Sequence, residues 1–506
     1  MLTRPLAAAG GHGKNGRLRL PFPLPVAGPA LRAHLRPLLG WSGLTLLLMV
    51  ASPPLMGGAR SNAPADGTVM AGPLASGPPV RVLLLQGPVV TIGAAGPAGL
   101  RLRDQDQRPL LELEPGRQLR VRRNGASLSL EPVADSRSPG GETDAEAATP
   151  RVIPLQELRL DPAEARSLVV LKQRRYRGSL LLRPEGEDVQ VINRLPLETY
   201  LLGVVGSEMP NSWPLAALRA QAVASRTYAL QQLKPRAPYD LQATVVSQVY
   251  KGVDSESPTV REAVASTHAQ VLTHGERLIN AVFHSSSGGR TENSGDLWKR
   301  QLPYLVSVAD DDAISPVSRW EKSFTPEALT RAFREIGGAV QIQPVEISST
   351  GRVRRAKVIG PGGELLLSGS GLRERLGLRS TLVRFRFEPA GRTDEPTRAG
   401  ATPTLTTLPP GLAPPPPLPG DEERPAFAES SSPSAVRDLG PAAAAPSASG
   451  MTDLPSSPGL HLVVEGRGYG HGVGMSQWGA YALALRGKSH EDILRHYYRG
   501  AVLRTW

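Results

Sequence analysis

The chain has 506 residues, with 58 Lys and Arg against 46 Asp and Glu, and no cysteine. Its length accommodates two or three domains with sizeable cores, and the lack of cysteine excludes disulfides, a catalytic thiolate and any cysteine-held metal or iron-sulfur centre. The formal charge of +12 favours polyanionic partners, but aromatic residues are only 5% and no nucleic-acid module is recognisable, so nucleic acid is set aside as a partner.

Arg4, Lys14, Arg17, Arg19, Arg32 and Arg36 precede an apolar run from Leu38 to Ala51, and no acid occurs before Asp66. Small residues, Gly57-Gly58-Ala59, follow. A basic region, an apolar run of about 14 residues and small residues have the order of a secretory signal, and the run is shorter than the roughly 20 residues of a spanning helix. Residues 1–59 therefore read as a signal peptide or an N-terminal membrane anchor that engages the membrane or export machinery. The protein is expected to be extracytoplasmic: secreted, periplasmic or in the cell envelope. That segment also carries half of the net charge.

Residues 60–79 form a Gly/Pro/Ala-rich linker. From 80 to 190, short apolar runs such as Val80 to Leu85 and Leu180 to Leu182 predict strands, interrupted by an exposed loop at Ala134 to Thr149. A mixed helix and strand core is expected over 191–388. Residues 389–459, with an unbroken proline run at Pro414 to Pro417, are too poor in apolar surface to offset ordering and read as a disordered insertion. Residues 460–506 then return to the core, so the fold class is α+β, with a C-terminal Gly-rich loop and helix packing back.

Within the core, Leu195 to Leu201 predicts a short helix, and Ser212-Trp213-Pro214 opens a long Ala-rich helix from Leu215 to about Leu233. Glu208, in Ser207-Glu208-Met209-Pro210, falls on the bend between them. Apolar neighbours can raise its pKa as a general acid requires, or backbone amides can simply satisfy it. A strand over Leu278 to Phe283 runs into His284-Ser285-Ser286-Ser287-Gly288-Gly289, whose short donors suit sugar hydroxyls or an acetamido group. A Ser-His hydrolase is the sharper alternative, but the nucleophile-elbow pattern is missing. Asp310-Asp311-Asp312 offers carboxylates to His284 and His471, or forms a solvated turn. Tyr304 and Arg373 either contact a glycan or serve packing and surface charge. Finally, Gly466 to Tyr481 reads GRGYGHGVGMSQWGAY, its glycines bracketing His471 ahead of a helix-like Ala480 to Tyr498.

Three ordered segments, Tyr200 to Leu230, Phe283 to Ser294 and the GHGVGMSQWGA stretch, together resemble the SpoIID/LytB family. Its founding members are a sporulation peptidoglycan lytic transglycosylase and an enhancer of cell-wall amidase. The resemblance implies that Glu208, in the family's Glu-Met-Pro motif, is catalytic. It implies substrate-binding roles for Arg226, which matches an active-site arginine, and for His284, Ser287, Tyr304, His471 and Gln477. Some relatives hold zinc with cysteines around the histidine motif; this chain has none, so the expectation is no metal and no cofactor.

The function so implied is cleavage of the bond between N-acetylmuramic acid and N-acetylglucosamine in peptidoglycan glycan strands, giving 1,6-anhydro ends. One carboxyl suffices because the nucleophile belongs to the substrate, whereas a hydrolase would recruit a second acid such as Glu292 or Asp310. The alternative is a non-catalytic wall-binding enhancer of an N-acetylmuramoyl-L-alanine amidase, which makes such an amidase a candidate partner beside the glycan.

Overall fold

The computed structural model describes residues 76–133, 150–389 and 460–506. The expected export segment, the loop at 134–149 and nearly all of the insertion lie outside the described residues. Among the described residues no helix is long and apolar enough to cross a membrane.

The first part is β-rich, as its alternating apolar runs predict. A seven-stranded sheet is ordered Leu241–Gln242, Pro79–Gly87, Asp188–Pro196, Ser179–Glu185, Leu158–Pro162, Leu100–Arg103 and Pro109–Leu113. A six-stranded sheet is ordered Arg174–Tyr176, Leu168–Leu171, Val89–Ala95, Gln118–Asn124, Ser127–Val133 and Arg151–Pro154. Their buried residues merge with those of the helices into one large apolar core. The end of the expected linker belongs to this structure: the carbonyls of Ser76 and Pro78 accept from the amides of Glu198 and Leu197.

Eight α-helices occur among the described residues: α1 (Leu197–Glu208), α2 (Leu215–Gln231), α3 (Pro258–Ser266), α4 (Ser294–Leu297), α5 (Pro326–Ala332), α6 (Gly369–Leu376), α7 (Gln477–Leu485) and α8 (His490–Tyr497). The fold class is α+β, with strands and helices sharing one core. α1 runs a further two turns beyond the expected Leu201. Val204, Val205 and the helix glycines suggest a break, but Gly206 instead lets the Ser255 carbonyl approach α1 where a side chain would collide. Glu208 is consequently the last residue of α1 rather than part of a loop.

The helix expected from Ala480 to Tyr498 is two helices. Gly487, at φ 77°, follows α7. Ser489 then opens α8 with a reciprocal capping box to Asp492. The strand expected over Leu278 to Phe283 is likewise two short pieces, Arg277–Leu278 and Phe283–His284.

A second, smaller core is built on α5, α6 and two three-stranded sheets. In one of these, Leu460–Gly466 lies between Trp320–Phe324 and Val383–Pro389, with Pro389 paired to Leu460. The chain therefore leaves for residues 390–459 and returns at one point on the sheet. Replacing 392–457 by a short turn is expected to leave cooperative unfolding intact. Shortening the closed loop should raise stability by on the order of 2 kcal/mol. Denaturant titration checks this, and loss of the cooperative transition would place the segment in the core.

Buried charge joins the helices. The Arg226 guanidinium on α2 is fully buried and donates to both oxygens of Glu198 on α1, at 2.6 and 2.7 Å. It also donates to the carbonyls of Gln270 and Val264, tying in α3 and the strand Gln270–His274. Removing one partner strands a buried charge, so Glu198→Gln should lose about 3–5 kcal/mol of unfolding free energy. The double variant Glu198→Leu/Arg226→Met should recover most of it; equal losses in the single and double variants would refute the pairing argument.

Candidate functional site

The site forms where the C-terminal end of α1 meets the N-terminal end of α7. Pro210 and the turn after it prevent α1 from continuing, leaving Glu208 half-buried at its last position. Its Oε1 accepts from the Val249 amide at 2.7 Å, and its Oε2 accepts from Gln477 Nε2 at 3.1 Å. Desolvation pushes the Glu208 pKa up to about 7, although those two donors and the nearby Lys251 ammonium pull it down. Its place at the negative end of the α1 dipole also disfavours the anion.

Gln477 is held by the aromatic residues that follow it. Trp478 and Tyr481 on α7 meet Trp213, just before α2, with ring centroids 4.9 and 4.7 Å away. Ser476 serves both as a strand residue and as the cap of α7, accepting from the Gly479 amide at 3.2 Å. Met475–Ser476 pairs in parallel with Phe283–His284. That ladder joins the serine-rich loop to the glycine-rich loop, where Gly468, Gly470, Gly472 and Gly474 all have positive φ.

His284 and His471 stand side by side with ring centroids 5.5 Å apart, and Trp298 lies 6.3 Å from His471. Burial, reinforced by His471 and Arg352, holds His284 well below the usual imidazole range. Burial and the Arg352 and Arg373 charges bring His471 to about 4. His284 Nδ1 meets the Val473 carbonyl at 3.2 Å, so it carries the proton there, while His471 Nδ1 accepts from the Val473 amide at 3.1 Å. Both rings are thus neutral. They do not fit a zinc: the Arg352 guanidinium acts on each of them, and no group of three His, Asp or Glu gathers among the described residues.

Several of the residues singled out in the sequence are engaged elsewhere in the fold. Arg226 does not face the site; it is the interior partner of Glu198. Ser287 is fully buried and accepts from the Gly289 amide. Tyr304 is a core residue whose hydroxyl accepts from the Asn280 amide. Arg373 donates to the Leu378 carbonyl at the end of α6. Asp310 to Asp312 is not a solvated turn. Asp312 is buried, accepting from Ser286 Oγ at 2.5 Å and the Gly288 amide at 2.8 Å, and Asp310 accepts from the Tyr497 hydroxyl at 2.6 Å.

Burial and the neighbouring Asp312 raise Asp310 to about 6. Yet Asp310 lies against Gly479, two positions from Gln477 on α7, and residues two apart on a helix face different ways. Glu292 is buried and occupied by the Ser348 and Thr350 hydroxyls and by Arg352. The bonds of both acids thus go to α8, the loops and Arg352 rather than to Val249 or Gln477, the groups that hold Glu208.

Val249 and Lys251 were missed. They lie in Gln248-Val249-Tyr250-Lys251-Gly252, 41 residues or more beyond Glu208, in irregular chain whose periodicity gives no signal. The available cue is the density of large polar residues. Gln248 and Tyr250 are buried and bonded to Tyr200 and Asn193, and this anchors the segment beside α1.

A folded-state pKa near 7 against an ordinary value of 4.5 makes Glu208 a source of instability. Well below pH 4.5 the carboxyl is protonated in both states and costs nothing. As pH rises towards 7 the unfolded chain ionises first, so stability falls, and the full cost is present above 7. Glu208→Gln is therefore expected to melt like the parent at pH 4 and higher at pH 8, by on the order of 2 kcal/mol allowing for partial exposure. Calorimetry at the two pH values checks the sign.

Residues 185–274, which include α1, α2 and Glu208, match the model of the family described as SpoIID: Stage II sporulation protein. Stage II sporulation protein D of Bacillus amyloliquefaciens is 29% identical over 334 residues, covering 61% of this chain and 74% of that protein. The protein of the same name in Bacillus subtilis (strain 168) is 28% identical over 333 residues, covering 62% of this chain and 76% of the relative. The amidase enhancer of Bacillus subtilis (strain 168) is 28% identical over 325 residues, 60% of this chain but only 40% of that longer protein. With its Glu-Met-Pro segment at the end of α1 and its serine-rich and glycine-rich loops joined by one ladder, the chain is similar to the SpoIID/LytB family, whose SpoIID model it matches over residues 185–274.

Proposed function

We propose that the protein is an exported lytic transglycosylase of the cell envelope, acting on peptidoglycan glycan strands with Glu208 as its general acid and base. The observation that carries this reading is a carboxyl with a pKa of about 7 whose charged neighbour is Lys251 rather than another acid. Protonated Glu208 donates to the glycosidic oxygen between N-acetylmuramic acid and N-acetylglucosamine, and the leaving sugar departs as the alcohol. Its carboxylate then takes the proton from the muramoyl C6 hydroxyl as that oxygen bonds to C1, giving the 1,6-anhydro ring and restoring the acid. No water is consumed, so no second carboxylate is required to activate one. Gln477 and the Val249 amide hold the two carboxyl oxygens apart in orientation, one for each proton transfer.

A second reading, a wall-binding enhancer of an amidase, is favoured by the similarity to the protein named amidase enhancer. It uses the same surface around Glu208 without turnover.

Mass spectrometry of products from purified glycan strands separates the two. Glu208→Gln keeps side-chain size but cannot shuttle a proton, so anhydro ends should fall by about 10² to 10⁴. Cleavage by the parent should decline as pH rises through 7, because the acid form is lost. Glu276→Gln, on a side chain 92% exposed, is the neutral control; Glu198 is unsuitable because it is ion-paired in the core. Full cleavage by the Glu208 variant would sink the assignment, and stimulation of an amidase by a parent that cleaves nothing would establish the second reading.

A further inference from the structure

Around Glu208 the acids and bases do not balance. Arg175 pairs with Asp254 at 2.6 Å, and Arg177 pairs with Glu256 at 2.7 Å. Glu256 also pairs with Arg261. Arg174 and Lys251 have no such partner: among the described residues no acidic side chain lies within ion-pair distance of either. They act on each other as like charges, and the one acid that acts on Lys251 is Glu208. When Glu208 carries the proton that a general acid must carry, the two cations are left uncompensated.

The backbone brings them together. Strand Arg174–Tyr176 lies against Gly252, whose α-carbon approaches the Arg175 carbonyl and the Tyr176 ring too closely for a side chain. Lys251 is the residue before it. Arg174 opens its strand from a two-residue hairpin, Lys172-Gln173, with both residues at positive φ, 48° and 65°. That turn is ordinarily built from Asn and Gly, and holding it with two long side chains is a strained choice. It places Lys172, Gln173 and Arg174, all exposed, at the rim beside half-buried Lys251.

We propose that Arg174 and Lys251 form a subsite for a carboxylate carried by the glycan substrate, seated next to Glu208. This rests on the glycan reading above and adds to it the chemistry by which the strand is recognised. The guanidinium offers paired donors matched to a carboxylate and the ammonium a point charge, so one anion neutralises both. A glycan strand can present it from two sources: the lactyl carboxylate of a muramoyl residue without its peptide, or a carboxylate of an attached peptide. Seating an anion there also cancels the Lys251 charge that pulls the Glu208 proton away.

The test is equilibrium binding by the full chain carrying Glu208→Gln, so that no strand is cut. Two kinds of strand are used, peptide-free and peptide-bearing, each with its carboxylates either free or converted to methylamides. Lys251→Met and Arg174→Gln should each weaken binding of a carboxylate-bearing probe roughly tenfold, and methylamidation should cause a similar loss that the variants do not deepen. Peptide-free strands showing this pattern identify the lactyl group; only peptide-bearing strands showing it identify the peptide. Equal affinity for the free and methylamidated forms of both kinds of strand, or equal variant losses on free and methylamidated forms, overturns the proposal. Cleavage of the same strands by the chain with Glu208 intact is scored separately, so anhydro products without carboxylate discrimination would remove the subsite and leave the function standing.

Discussion

Everything at the site depends on where α1 points, and a buried ion pair decides that. Glu198 lies in the first turn of α1 and Glu208 at its last position, about 15 Å along the axis at 1.5 Å per residue. Arg226 grips the near end with two charge-assisted bonds while also holding backbone carbonyls of α3 and its neighbouring strand. A hydrophobic contact there would tolerate sliding or rotation. A bidentate guanidinium does not, because each lost bond leaves a charge in a medium that cannot solvate it. The far end of a short, stiff helix inherits that precision, and Glu208 stands there.

The carboxyl itself is held under tension. Two donors address it, one from the irregular segment after α2 and one from α7, yet its surroundings still favour the protonated form. The C-terminal segment is thus a structural requirement of the site rather than an appendage, since Gln477 arrives there only because Trp478 and Tyr481 lock onto Trp213. The same strand pairing that delivers Gln477 brings the serine-rich and glycine-rich loops together, and the Asp310 and Asp312 carboxylates brace them from beneath. Polar groups that look like chemistry in the sequence, including Ser287 and Glu292, are spent on this bracing.

The layout of strands and helices could be read from apolar periodicity, and the three motif segments pointed to one family and to Glu208. What could not be read was the partner of each polar residue. Arg226 in an Ala-rich helix looks the same whether it faces solvent, substrate or an acid on another helix; only the fold supplies Glu198. Asp310-Asp311-Asp312 looks like a surface turn because charge runs commonly are, yet the first and third side chains turn inward to hydroxyls from α8 and the serine-rich loop. The break between α7 and α8 was hidden by good helix formers on both sides of Gly487. Lys251 and Val249 carried no periodic or motif signal at all, because their role comes from a loop approaching the end of a distant helix.

The pairing of Pro389 with Leu460 has a consequence for how the chain can be divided. Leu460–Gly466 is the middle strand of its sheet, and from it the polypeptide runs on through the glycine-rich loop to Gln477. A scission between 389 and 460 would break no ladder bond, yet would separate Glu208 from Gln477 onto different polypeptides. The two pieces would have to find each other through strand addition and the Trp213 aromatic cluster before the carboxyl gained its second donor. Such a division would yield two pieces whose reassembly depends on seating Leu460–Gly466 between the same two strands that hold it in the single chain.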